Sequence, residues 1–220
     1  MLKISIPTTI HGALHSIANP WLMICQCLAI LTAAIIVALI LAKYAAHHWQ
    51  GDKHAVRLGY VSLSAVYTLM LFGFFGFTPQ TIRGILLCMI LLTDSYSDLK
   101  TREVADYMSV MVLLVSFIGC SMAQLPGMLF GGLFVAGMML IVSLFGRQSS
   151  IGGADIKLGG ACAFALGITG GIAGLIIGLV LAILINMCRG KSTRSQSFPL
   201  VPYLSAGFLA AYFICERTIL

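Results

Sequence analysis

Residues 21–42 read WLMICQCLAILTAAIIVALILA, an apolar run of twenty-two residues without a charge. A bilayer core is about 30 Å thick and takes about 20 helical residues to cross, so this run is a membrane span by length and composition. Similar runs continue along the chain. They predict helices near 21–42, 58–77, 82–97, 107–124, 127–145, 155–169, 171–188 and 203–216. The third and sixth are short for a crossing, and only Gly170 and Gly171 divide the sixth from the seventh, so a count of seven stays open. Hydrophobic residues make up 60% of the chain and charged residues 9%, with a mean hydropathy of +1.02. Soluble domains carry about 25% charged residues, which excludes that class. The expected fold is all-α, a polytopic membrane helical bundle of about eight transmembrane helices.

Residues 1–20 contain Pro7, Pro20, His11 and His15 and no continuous apolar segment. They read as an interfacial segment rather than a cleavable signal peptide of the usual kind, ahead of one transmembrane domain over 21–220. Seven cysteines are scattered through apolar runs with no CxxC pair, so a zinc ribbon or redox motif is not expected, and buried thiols acting as small hydrophobes are. His47, His48 and His54 fall in the first loop, away from the acids discussed below. No metal and no cofactor is therefore expected.

Cytoplasmic loops hold the excess of Lys and Arg. Lys43, Lys53 and Arg57 follow the first span, and Lys100 and Arg102 follow the third. Arg147 and Lys157 flank the link between the fifth and sixth, and Arg189, Lys191 and Arg194 follow the seventh. These are ten of the thirteen basic residues, Lys3, Arg83 and Arg217 being the rest. The pattern predicts extracytoplasmic termini in a multi-pass protein of the cytoplasmic membrane. It also accounts for the net charge of +6 without a nucleic acid partner.

Only seven Asp or Glu occur, and Asp94, Asp98, Glu103, Asp106 and Asp155 cluster in two short segments at span ends. Both segments are predicted on the cytoplasmic side. A carboxylate costs roughly 2.5 to 3.5 kcal/mol at the centre of a membrane helix, and acids kept at membrane depth are functional candidates. One acid from the end of the third span and one from the start of the sixth could share a proton, one activating water while the other polarises a carbonyl. Gly152 and Gly153 precede Asp155 and leave its backbone free to deliver the carboxylate. The glycines at 170, 174 and 178, and those at 127, 131 and 132, read instead as helix-packing positions.

Three segments carry a family resemblance. Asp98, Lys100, Arg102, Val104 and Asp106 follow the spacing of the first acidic motif of the type IV prepilin peptidases, with Ala105 where proline is usual. Gly152-Gly153-Ala154-Asp155-Ile156-Lys157-Leu158 is similar to their G-x-G-D-x-K-L motif, with Ala154 for the second glycine. Pro199-Leu200-Val201-Pro202-Tyr203-Leu204-Ser205-Ala206-Gly207 resembles the segment before their last helix. That family includes the archaeal preflagellin peptidases and shares a GxGD-type motif with presenilin-like intramembrane proteases.

The resemblance implies a membrane aspartic endopeptidase with catalytic Asp98 and Asp155. It would cut the basic leader of a type IV prepilin or pseudopilin after a glycine, with that substrate and membrane lipid as its partners. Longer members carry a CxxC insert associated with N-methylation. The 43–57 loop is short and has no Cys, which marks a short form and gives methyl transfer no support. Asp94, one helical turn before Asp98, is the rival first acid and is expected to serve as a hydrogen-bonded support. Lys157, placed to orient a carboxylate, to contact lipid phosphate or simply to snorkel, and Arg102 stay outside the catalytic set. The alternative from another class is a small proton- or cation-coupled transporter using the same acids. A lipoprotein-type signal peptidase would need its acids on the opposite side.

Overall fold

The computed structural model describes residues 20–48, 52–145, 152–188 and 199–219, and for 20 and 216–219 only the helical backbone. The expected interfacial segment 1–20 falls outside these apart from Pro20, and Lys3, Arg147, Arg189, Lys191 and Arg194 lie outside them too. All regular structure among the described residues is helical. Seven helices run α1 (Pro20–His48), α2 (Lys53–Phe75), α3 (Pro79–Thr101), α4 (Asp106–Ser116), α5 (Leu125–Phe145), α6 (Gly153–Cys188) and α7 (Val201–Ile219). Of these, α1, α2, α5 and α6 are each long and apolar enough to cross a membrane. The protein is a multi-pass membrane bundle.

Local chemistry sets the helix ends. Asp52 caps α2 by accepting the His54 N–H at 3.2 Å, and Gly76 closes the helix at φ 63°. Thr78 caps α3 and Pro79 occupies its first turn, where a missing N–H costs nothing. At its other end α3 stops on Arg102, the single non-glycine described residue with positive φ (57°), whose N–H closes on the Asp98 carbonyl at 3.1 Å. An αL residue with a side chain stores roughly 1 to 3 kcal/mol of strain, which the surrounding turn has to hold.

Three expectations about the spans need correction. The helix predicted over 107–124 is α4, only 11 residues and about 16 Å long, because the chain turns through Gly119 (φ 72°) before α5 begins. That length cannot cross a bilayer core alone. The span predicted as short, 82–97, is the 23-residue α3. The break predicted at Gly170 and Gly171 lies at Gly167 (φ 71°, ψ −176°), a conformation open essentially to glycine alone, and helix continues on both sides of it. Gly170 and Gly171 are helical because they are needed for close packing. A methyl group on Gly170 would meet Cys215 Sγ at 3.2 Å, and one on Gly171 would meet Ala163 at 2.6 Å.

Small residues let α6 run against both neighbours. Gly174 faces Phe208 of α7 and Gly178 faces Leu204, while on the other side Gly131 of α5 lies against the Gly167 carbonyl group. Gly127 has open space around it, so the packing role expected there is not seen. The main core joins Leu71, Leu91, Val112, Leu158, Phe208 and Tyr212 from α2, α3, α4, α6 and α7. A second core of Ala34, Ala38, Ala42 and Ala45 seats α1 on Tyr60 of α2 and Met89 of α3. Thus α3, which carries Arg83, Asp94, Asp98 and Lys100, is enclosed by α1, α2, α4 and α7.

Candidate active site

Both motif acids sit at helix ends. Asp98 lies in the last turn of α3 and is buried, 7% exposed, with Oδ2 accepting the Val201 N–H at 3.1 Å. Val201 opens α7 and is itself fully buried. The Pro-rich third segment therefore supplies a backbone donor to the first acid, a contact between residues 103 positions apart. Asp155 lies in the first turn of α6, half-buried, and its Oδ2 accepts the Gly152 N–H at 3.1 Å. A carboxylate in the first turn of a helix also benefits from the N-terminal dipole. Asp98 and Asp155 stand close enough for their charges to act on each other. No hydrogen bond joins them directly. Each carboxyl has one oxygen fixed by a backbone N–H.

The turn after Asp98 is tied together from within. Ser97 Oγ donates to the Glu103 carbonyl at 2.7 Å, and Thr101 Oγ1 donates to the Ser97 carbonyl at 3.0 Å. This clasp holds the strained Arg102 and sets where α4 starts. The first residue of α4, Asp106, then takes both carboxylate contacts from Lys157 Nζ, at 2.8 and 2.9 Å. Lys157 follows Asp155 by two residues, so the pair links the Asp98 side of the site to the Asp155 side. Of the roles open to Lys157, contact with a carboxylate is the one seen, in this exposed ion pair.

Asp94 differs from its expected role. It is wholly buried one turn below Asp98, and neither carboxyl oxygen has a hydrogen-bond partner among the described residues. It is therefore not a hydrogen-bonded support. Its surroundings are Asp98 on its own helix, Tyr60 of α2, Tyr107 of α4 and Cys162 of α6, all within reach of its charge. Among the described residues, no three His, Cys, Asp or Glu side chains gather in a way that could hold a metal ion.

Sequence reading missed the Val201 N–H, the Ser97 clasp and the Lys157–Asp106 pair. Only the last had a signal, since Lys157 and the acids of the first motif carry opposite charges at two span ends. The other two depend on backbone groups, which a sequence does not display.

Residues 85–187, the stretch that holds Asp94, Asp98 and Asp155, match the type IV leader peptidase family. No curated protein and no solved structure matches the chain.

Proposed function

We propose that the protein is an aspartic endopeptidase of the cytoplasmic membrane that removes the leader of type IV prepilins or pseudopilins, using Asp98 and Asp155. The observation that carries this reading is the placing of these two carboxyls at the end of α3 and the start of α6, each with one oxygen held by a backbone N–H. With one proton between them, the ionised acid takes a proton from water as the water attacks the scissile carbonyl. The protonated acid hydrogen-bonds the carbonyl oxygen as it gains charge. Collapse of the tetrahedral adduct breaks the C–N bond and passes a proton to the leaving amine. The pair returns to its singly protonated state.

The site lies at a bundle end rather than midway along the helices, which suits a bond just outside the apolar segment of a substrate. The distribution of Lys and Arg supports a cytoplasmic position for that end. Cleavage after a glycine comes from the family resemblance. The test is cleavage of a purified candidate prepilin by the detergent-solubilised protein, with EDTA present and no S-adenosylmethionine added. Leader removal should proceed, with activity falling at both low and high pH as the dyad becomes doubly protonated or doubly ionised. Loss of cleavage on chelation, restored by a divalent ion, would contradict the mechanism.

A further inference from the structure

Away from the acids, α1 and α2 enclose a cavity of about 700 Å³ at the basic end of the bundle. Its floor is apolar, formed on α1 by Leu39, Ile40 and Ala46. Its rim carries Lys43 from α1 and Lys53 and Arg57 from α2, all three exposed. No acid lines it. Asp52, the nearest acid in sequence, uses its carboxylate to cap α2 through the His54 N–H and lines a separate groove beside Tyr60 and Lys100. None of the three cations has an ion-pair or hydrogen-bond partner among the described residues. Three uncompensated positive charges converging on one apolar cavity at a membrane-facing helix pair need an anion with an apolar body.

We infer that the α1–α2 cavity is a binding site for an anionic glycerophospholipid, its phosphate held by Lys43, Lys53 and Arg57 and its acyl chain laid along the apolar face of α1. Charge complementarity selects the headgroup. The apolar floor selects a lipid over a free anion, because a hydrated phosphate gains nothing from Leu39, Ile40 or Ala46. The size suits a bound small molecule, since such sites run from about 300 to 1,000 Å³. A basic peptide is repelled by the same rim, so the cavity is not a seat for a positively charged leader. The site is independent of the peptidase reading, and its failure would leave that reading untouched.

Native mass spectrometry of the full chain in detergent, titrated with phosphatidylglycerol against phosphatidylcholine, tests the inference. The native protein should retain phosphatidylglycerol preferentially, and added salt should weaken the preference. The triple variant Lys43→Gln/Lys53→Gln/Arg57→Gln should lose roughly a hundredfold in that preference, at the usual contribution of a basic residue to binding an anionic membrane lipid. The charge-keeping variant Lys43→Arg/Lys53→Arg/Arg57→Lys should retain it, so a folding defect in the first variant does not decide the outcome. Undiminished preference in a folded triple-Gln variant would overturn the proposal, as would loss of preference in the charge-keeping one. Displacement of the lipid by inorganic phosphate at equal concentration would show a free-anion site and overturn it too.

Discussion

The two ends of α3 bury charge in opposite ways. Near its start, Arg83 is 5% exposed and donates from Nε to the Tyr212 hydroxyl at 3.3 Å, with its guanidinium 5.5 Å from the centre of the same ring. Tyr212 in turn donates to the Gln80 carbonyl at 2.7 Å. Fifteen residues on, roughly 22 Å along the axis at 1.5 Å per residue, Asp98 has one backbone donor and Asp94 has none. A buried charge stitched to side chains of a neighbouring helix serves the fold. A buried acid without such partners costs the fold.

That contrast is sharpest at the Asp98 hydrogen bond. Val201 is the first residue of α7, where proline fits the helix, so Val201→Pro removes the N–H with little damage to backbone. A hydrogen bond to a charged group is worth about 1.5 to 3 kcal/mol, so kcat for leader removal should fall about ten- to a hundredfold, as measured by steady-state cleavage.

Tyr212→Phe should do the reverse. It strips the hydroxyl that Arg83 and Gln80 share, at a cost of about 1 to 3 kcal/mol in stability. Thermal unfolding in detergent should report that loss, while cleavage per folded molecule stays as it was. Asp94→Leu should raise stability by about 1 kcal/mol, because it removes a buried carboxyl that no donor satisfies. The smallest effect belongs to Lys157→Met. Its ion pair with Asp106 is exposed and worth under about 1 kcal/mol, so stability should barely move and any loss should appear in kcat.

Much of this was legible beforehand because membrane physics writes itself into composition. Apolar runs marked α1, α2, α5 and the two halves of α6, and the scarcity of acids drew attention to the segments around Asp98 and Asp155. The errors came where one residue type serves two purposes. Gly170 and Gly171 looked like a helix break but serve packing, Gly170 against Cys215 of α7 and Gly171 against Ala163 across the kink, while the unremarked Gly167 made the break. The apolar stretch after Asp106 predicted a full span because hydropathy does not register a turn at Gly119. Asp94 looked like a supporting acid, and only its three-dimensional surroundings reveal that it has no donor.

The account rests on Asp98 and Asp155 acting as a pair, with Asp94 outside it. The direct measurement is leader cleavage by Asp98→Asn, Asp155→Asn and Asp94→Asn, each compared at equal membrane abundance. Asn keeps the volume of Asp and accepts the same backbone N–H but cannot exchange the shared proton. The first two variants should be inactive and the third should retain substantial activity. Cleavage by Asp98→Asn together with an inactive Asp94→Asn would move the reaction one turn deeper along α3 and contradict the assignment.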